Sequence, residues 1–171
     1  MPKHNPQRDT FIQDLMAEGY TESAASYHWL QHQKGKKTRR LNFRPITRTM
    51  LERNGIVINH SLTNKYGWSI IQVDEDGSEY ELRPYLSSNN HVMYSIYGYR
   101  TDEGDKKEQF ALSLASMLWV YFKDDIPAGY VVDHIDENPL HNELYNFQCI
   151  TRAENARRRS RKNNQFCKGR A

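Results

Sequence analysis

The chain has 171 residues, a formal net charge of +3, 37% hydrophobic residues and 26% charged residues. Such a chain is long enough for one domain with a sizeable core or for two small ones, and its aromatic content of 12% argues against disorder. Neither a membrane span nor a signal peptide is expected, because no apolar run reaches roughly 18 residues and the N-terminus is polar. Two cysteines, Cys149 and Cys167, are too few for a zinc ribbon or a disulfide scaffold. We therefore expect a cytoplasmic protein.

Basic residues are concentrated in two stretches. Residues 34–53 contain eight basic residues and one acidic residue, and residues 152–171 contain the same numbers of each. Each stretch therefore carries a net charge of +7. The acidic residues between them include Asp124, Asp125, Asp133, Asp136, Glu137 and Glu143. This distribution favours a protein that binds a polyanion and holds a cation near its centre. Ordinary solvated faces are the alternative.

Two short helices are predicted at the N-terminus. The first ends at Gly19, and the second begins with Thr21 as a candidate N-cap. Their apolar positions at helical spacing are Phe11, Ile12, Leu15 and Met16 in the first helix and Ala24, Tyr27 and Leu30 in the second. The pair has the outline of a helix-turn-helix, although helical hairpins that serve packing alone are commoner. A basic linker follows, and a short helix is predicted around residues 47–53.

Residues 56–100 are rich in β-branched and aromatic residues, and DEDG at residues 74–77 is typical of a hairpin turn. They predict a small antiparallel sheet of three to five strands, which either contacts DNA through exposed polar side chains or is purely structural. After a polar loop, residues 108–122 predict one amphipathic helix. Its apolar stripe comprises Phe110, Leu114, Met117, Leu118 and Tyr121.

Residues 130–155 read YVVDHIDENPLHNELYNFQCITRAEN and predict a strand, a turn-rich loop, a second strand and a helix. Thr151 and Glu154 form a capping-box pattern at the helix start. Asp133 and His134 end the first strand, and Asn155 lies in the first helical turn. Carboxylate and amide oxygens suit Mg²⁺ or Mn²⁺. An ion, an imidazole and a phosphate-attracting arginine cluster are together the parts needed to hydrolyse a phosphodiester.

This segment resembles the HNH endonucleases, which have the ββα-metal fold, and within them the phage and homing-endonuclease branch. The resemblance covers roughly residues 108–160 and implies that His134 is the general base that activates water. It implies further that Asp133 and Asn155 are metal ligands and that Asn146 orients the loop and the histidine. His141 stands where relatives often have asparagine and is expected to contact the loop or a phosphate rather than act as a second base. Asp136 and Asn138 are expected to shape the loop, and Asn142 to brace it. The cofactor implied is Mg²⁺, for which Mn²⁺ would substitute.

The sequence thus predicts an α+β fold in three parts. Residues 1–55 form a helical, basic, DNA-contacting segment, residues 56–105 a small antiparallel sheet, and residues 106–171 an HNH unit with a basic tail. The residues expected to contact DNA are Lys36, Lys37, Arg39, Arg40, Arg157, Arg158, Arg159 and Arg161. Base recognition is expected within residues 1–100, because a phosphate carries no sequence information.

The predicted function is metal-dependent hydrolysis of double-stranded DNA, as a site-specific nick or a double-strand break that leaves 5′-phosphate and 3′-hydroxyl ends. The preferred setting is a free-standing phage homing endonuclease, located in the host cytoplasm. One alternative is a non-catalytic DNA-binding or packaging accessory protein with a vestigial site, and another is a nuclease directed at RNA or at particular DNA structures. The sequence leaves open the target site and whether the protein is a monomer or a homodimer.

Overall fold

The computed structural model describes residues 5–17, 22–33, 46–100, 102 and 106–168. The chain divides into two compact units. We call Met1–Phe43, Pro127–Val131 and Ile150–Ala171 the helical unit, and Arg44–Ile126 and Val132–Cys149 the sheet unit. Helices and antiparallel sheets together confirm the predicted α+β class. Within the described residues, no helix has the length and apolar character needed to cross a membrane.

The described residues of the sheet unit include two α-helices, a short 3-10 helix at Leu144–Asn146 and two three-stranded antiparallel sheets. Its elements are α3 (Arg48–Arg53), β1 (Ile56–His60), β2 (Trp68–Val73), β3 (Glu79–Glu81), β4 (Pro84–Leu86), β5 (Val92–Tyr99), β6 (Lys107–Ser113) and α4 (Leu114–Phe122). The strand orders are β1-β2-β3 and β4-β5-β6, so every neighbour in a sheet is also the neighbour in sequence. The predicted turn at residues 74–77 is confirmed, since the Gly77 amide donates to the Asp74 carbonyl at 2.9 Å.

The core of the sheet unit follows from alternation along its strands. In β2 and β5 every second residue is buried, as the period of two in a strand requires when one face is covered. The buried set includes Trp68, Ile70, Val92, Tyr94 and Ile96 from the strands, Met50 and Leu51 from α3, and Leu114, Met117 and Leu118 from α4. Each such side chain contributes about 1.5–3 kcal/mol when it leaves water.

The single helix predicted over residues 108–122 is wrong in its first half. Residues up to Ser113 form β6, which pairs along its whole length with β5, for example Phe110 opposite Ile96. Helix α4 begins only at Leu114, where the Ser113 hydroxyl caps it by accepting from the Ser116 amide at 3.2 Å. Three residues of the predicted apolar stripe, Leu114, Met117 and Leu118, do lie in the core as part of α4. Before α4, cross-strand pairing decides the conformation.

A buried asparagine fastens α3 to β5. The Asn54 side chain donates to the Met50 carbonyl at 2.8 Å and to the Tyr99 carbonyl at 2.7 Å, and accepts from the Tyr99 amide at 2.6 Å. Gly55 follows with φ of +62°, and a Cβ there would lie 2.1 Å from the Val73 carbonyl oxygen, so only glycine fits. The predicted short helix is confirmed, with Thr47 as its N-cap.

We expect Asn54→Leu to lower the free energy of unfolding by about 2–4 kcal/mol, because it removes three hydrogen bonds and leaves partly buried backbone groups of Tyr99 without these partners. Urea unfolding followed by circular dichroism measures the loss. Asn59→Leu on the exposed end of β1 is the matched control and should shift the midpoint little. A loss below about 0.5 kcal/mol for Asn54→Leu, the range of ordinary surface substitutions, would contradict the assigned role.

The helical unit contains α1 (Pro6–Ala17), α2 (Glu22–Gln33) and α5 (Arg152–Lys168). The rings of Phe11 and Trp29 meet edge to face at 5.4 Å, and Ile12, Ala25 and Trp29 are buried. The stripe predicted for α2 is wrong at Leu30, which is 56% exposed. Gly19, Thr21 and the basic residues Lys36, Lys37, Arg39 and Arg40 lie outside the described residues.

Candidate functional site

Two strands and a helix carry the residues that the sequence singled out. Strands β7 (Tyr130–His134) and β8 (Phe147–Thr151) form a two-stranded sheet, and α5 begins directly after β8. The division between the two units runs through both strands. The Thr151 hydroxyl accepts from the Glu154 amide at 3.2 Å and marks the start of α5, as the sequence predicts. The observed order is therefore strand, loop, strand, helix.

His134 ends β7 and is buried, with 4% of its surface exposed. Its Nε2 lies 3.1 Å from the side-chain oxygen of Asn142, which is equally buried. The Asn142 amide nitrogen donates to the Pro139 carbonyl at 3.2 Å, so the oxygen is the atom that faces the ring. An amide oxygen only accepts, and Nε2–H of His134 must therefore donate to it. This leaves Nδ1 of the neutral imidazole with the lone pair of a base.

Aromatic rings and a long-range hydrogen bond hold this pair in place. The Phe147 ring meets the His134 ring edge to face at 5.2 Å, and the His91 ring lies 5.8 Å from it. The indole nitrogen of Trp68 donates to the Asn142 backbone carbonyl at 2.6 Å. The orientation of His134 thus depends on β2 and β8 as well as on its own strand.

Asn146 closes the loop between β7 and β8. Its side chain donates to the Asp136 carboxylate and to the His141 carbonyl, both at 2.9 Å, and accepts from the Asp136 amide at 3.2 Å. Its own carbonyl accepts from the Ile135 amide at 2.8 Å. Its own amide donates to the Glu143 carbonyl at 2.9 Å, and these five hydrogen bonds of one buried residue define the loop that begins immediately after His134.

Asp133 precedes His134, and its carboxylate is half-buried. The side-chain amide of Gln148 on β8 donates to this carboxylate at 3.3 Å. Among the described residues there is no group of three or more histidine, cysteine, aspartate or glutamate side chains that could hold a metal.

Asn155 lies in the first turn of α5, within the helical unit, whereas Asp133 and His134 belong to the sheet unit. The same helix carries Arg157 and Arg158, whose guanidinium groups each lie 3.5 Å from the Glu154 carboxylate. Arg159 and Arg161 are exposed. Helix α5 therefore carries four arginines within two turns and one acidic residue beside them.

A second polar cluster lies on the same loop. The Asp136 carboxylate accepts from Nδ1 of His141 at 2.6 Å, and Nε2 of His141 lies 3.0 Å from the Tyr145 hydroxyl. Hydrogen bonds from Asn146, from the Asn138 amide and from His141 hold the pKa of Asp136 well below its usual range. This carboxylate is therefore ionised at any working pH. The loop-forming role expected of Asp136 and Asn138 agrees with these contacts.

Sequence reasoning missed two features of the site. Asn142 was interpreted only as a brace of the loop, whereas it fixes the proton of His134. The chain of hydrogen bonds from Asp136 to Tyr145 was not foreseen at all. The only signal in the sequence for either feature was the density of polar residues between the two strands.

Comparison with protein families identifies this segment. The family described as HNH endonuclease matches residues 117–157, a range that contains Asp133, His134, Asn146 and Asn155. Comparison with curated proteins and comparison with solved structures gave no match. The predicted resemblance to the HNH endonucleases is confirmed for this segment.

Proposed function

We propose that this chain, which matches the HNH endonuclease family over residues 117–157, hydrolyses phosphodiester bonds of double-stranded DNA with the help of a divalent metal ion. The observation that carries the proposal is the fixed imidazole of His134, whose Nε2 is engaged by Asn142 and whose Nδ1 keeps its lone pair. A base held in one orientation by a buried partner suits the activation of water for in-line attack.

In this proposal His134 accepts a proton at Nδ1 from the attacking water. Asn142 holds the proton of the neutral imidazole on Nε2, so Nδ1 is the nitrogen that is available to that water. As the proton arrives, the imidazolium retains the same hydrogen bond to Asn142. Asn146 contributes indirectly, because it sets the loop that carries Asn142.

The residues present suit a hard divalent ion. Asp133, which precedes the base in the sequence, supplies a half-buried carboxylate, and Asn155 is proposed as the second ligand, with Mg²⁺ as the ion and Mn²⁺ as its substitute. When bound, such an ion supplies a Lewis acid for the phosphate and for the leaving oxygen. Gln148 restrains the carboxylate that would hold it.

The proposed substrate is double-stranded DNA, and the proposed setting is a free-standing phage homing endonuclease. The arginines of α5 and the basic residues between α2 and α3 supply the positive charge that binding to DNA phosphates needs. Incubation of supercoiled plasmid with the protein and Mg²⁺ tests the proposal directly. Nicked or linear product supports it, and binding without any cleavage supports a vestigial site instead.

We expect neutralisation of Lys36, Lys37, Arg39 and Arg40 with glutamine to weaken binding to all DNA sequences about equally. These residues would act through phosphates, so the dependence of the dissociation constant on salt should also become shallower, by roughly one unit of slope for each phosphate that is no longer neutralised. Fluorescence anisotropy at several salt concentrations measures both quantities. Neutralising Lys65, Lys106 and Lys123 is the matched control. An unchanged slope in the fourfold variant would show that this stretch does not bind the DNA backbone.

A further inference from the structure

The chain of hydrogen bonds from Asp136 through His141 to Tyr145 has no part in the hydrolysis described above. It joins a carboxylate that is permanently ionised, an imidazole and a phenol, at 2.6 Å and 3.0 Å. The rings of His141 and Tyr145 also meet edge to face at 5.6 Å. The outer end of the chain faces solvent, since Tyr145 is 74% exposed. A phenol held in this way on the surface is a contact group rather than part of the core.

The positions of the protons along these hydrogen bonds decide whether the Tyr145 hydroxyl can donate to a ligand. An ionised Asp136 only accepts, so Nδ1 of His141 carries a proton. A neutral His141 then accepts the Tyr145 hydroxyl proton at Nε2. An imidazolium donates at Nε2 to the Tyr145 oxygen instead, and the hydroxyl proton becomes available to a ligand. An anionic ligand with acceptor oxygens favours this second arrangement, because it lies near the positive charge and accepts the proton.

We propose that the Tyr145 hydroxyl, positioned by His141 and Asp136, donates a hydrogen bond to a phosphodiester oxygen of DNA next to the bond that is cut. This inference rests on the proposed function for its ligand. Tyr145 directly precedes Asn146, and the loop on which both lie begins after His134. DNA positioned for attack at His134 would therefore pass close to this loop. A phosphate is favoured over a base because the hydroxyl is supported by a charge pair, not by an apolar stacking partner.

Tyr145→Phe in the full chain tests the contact, since it removes one oxygen and keeps the ring. Binding is measured by fluorescence anisotropy in a His134→Ala background, which leaves the DNA intact. The probe is the duplex that the wild type cuts, prepared as a series in which one phosphate at a time is replaced by neutral methylphosphonate. Tyr97→Phe, at a 65% exposed tyrosine on β5, is the matched control.

The expected result is a three- to tenfold rise in the dissociation constant for Tyr145→Phe, about the value of one hydrogen bond, and none for Tyr97→Phe. Replacing one particular phosphate with methylphosphonate should weaken DNA binding by the protein that keeps Tyr145. The same replacement should not weaken DNA binding by Tyr145→Phe any further. An unchanged affinity of Tyr145→Phe for DNA would overturn the proposal. A loss of affinity that is equal for every duplex in the series would also overturn it, because it would indicate a base contact. If the wild type cuts no DNA, the proposed function is wrong, but the contact of Tyr145 can still be tested. The affinity of Tyr145→Phe for an unmodified random duplex then decides whether Tyr145 binds DNA.

Discussion

Replacing His134 with alanine is expected to abolish DNA cleavage while DNA binding persists. The imidazole is the only candidate base at the end of β7 whose proton is fixed by a buried partner, Asn142. Loss of a positioned general base lowers a rate by about 10²–10⁴-fold, whereas affinity depends mainly on the phosphate contacts of the basic residues. Single-turnover cleavage of supercoiled plasmid measures the rate, and anisotropy measures the binding.

The control for this variant must account for the buried position of His134, because alanine leaves a cavity there. Thermal unfolding of His134→Ala shows whether the fold persists, and His134→Gln provides a second variant of closer volume. Leu62→Ala removes a 94% exposed side chain in the segment after β1 and should cut like the wild type. Cleavage by both His134 variants within threefold of the wild-type rate would show that His134 is not the base.

Replacing Asp133 with alanine is expected to remove Mg²⁺-dependent cleavage. A bound metal contributes several kcal/mol of charge stabilisation, which corresponds to a loss of about 10²-fold or more. Cleavage rates are measured against Mg²⁺ concentration, and the variant should fail to reach the wild-type rate at any concentration. Asn155→Asp is expected to keep part of the activity with Mn²⁺, because a carboxylate preserves a hard oxygen at that position.

Two controls separate this result from general damage. Asp133→Asn keeps an oxygen that can accept from Gln148, so it tests the charge of the ligand apart from the local fold. Asp124→Ala removes an exposed carboxylate in the turn after α4 and should have no effect. Full activity of the wild-type protein in excess EDTA would refute metal-assisted hydrolysis altogether.

The elements that the sequence predicted well are those with local causes. The helix start at Thr47, the turn ending at Gly77 and the cap at Thr151 each depend on residues two to four positions apart. The helix predicted from residue 108 was wrong because Lys107–Ser113 pairs with Val92–Tyr99, and pairing between strands is invisible in a local pattern. The packing of α3 into the same core as β1 was equally hidden.

In the candidate site, too, the sequence predicted the features that depend on local residues and missed those that depend on the folded structure. The order and spacing of Asp133, His134, Asn146 and Asn155 were enough to identify the family, because a motif of that length is written in one continuous segment. The partner that fixes the proton of His134 required the loop geometry. The support of that partner by Trp68 required the complete sheet unit. The assigned roles and the three predicted segments of the chain remain predictions.

The hydrogen bond from Trp68 to Asn142 joins residues 74 positions apart in the chain. A contact of such long range forms only after the intervening strands have found each other, since closing a long loop costs entropy before any interaction repays it. A nascent chain, or one trapped partway through refolding, would therefore carry the whole motif in sequence without an aligned histidine. The same bond places an indole beside the site loop, so the emission of a protein with Trp29 and Trp119 replaced by phenylalanine should report when that loop docks. Nuclease activity should return in step with that signal, and later than the helical circular dichroism.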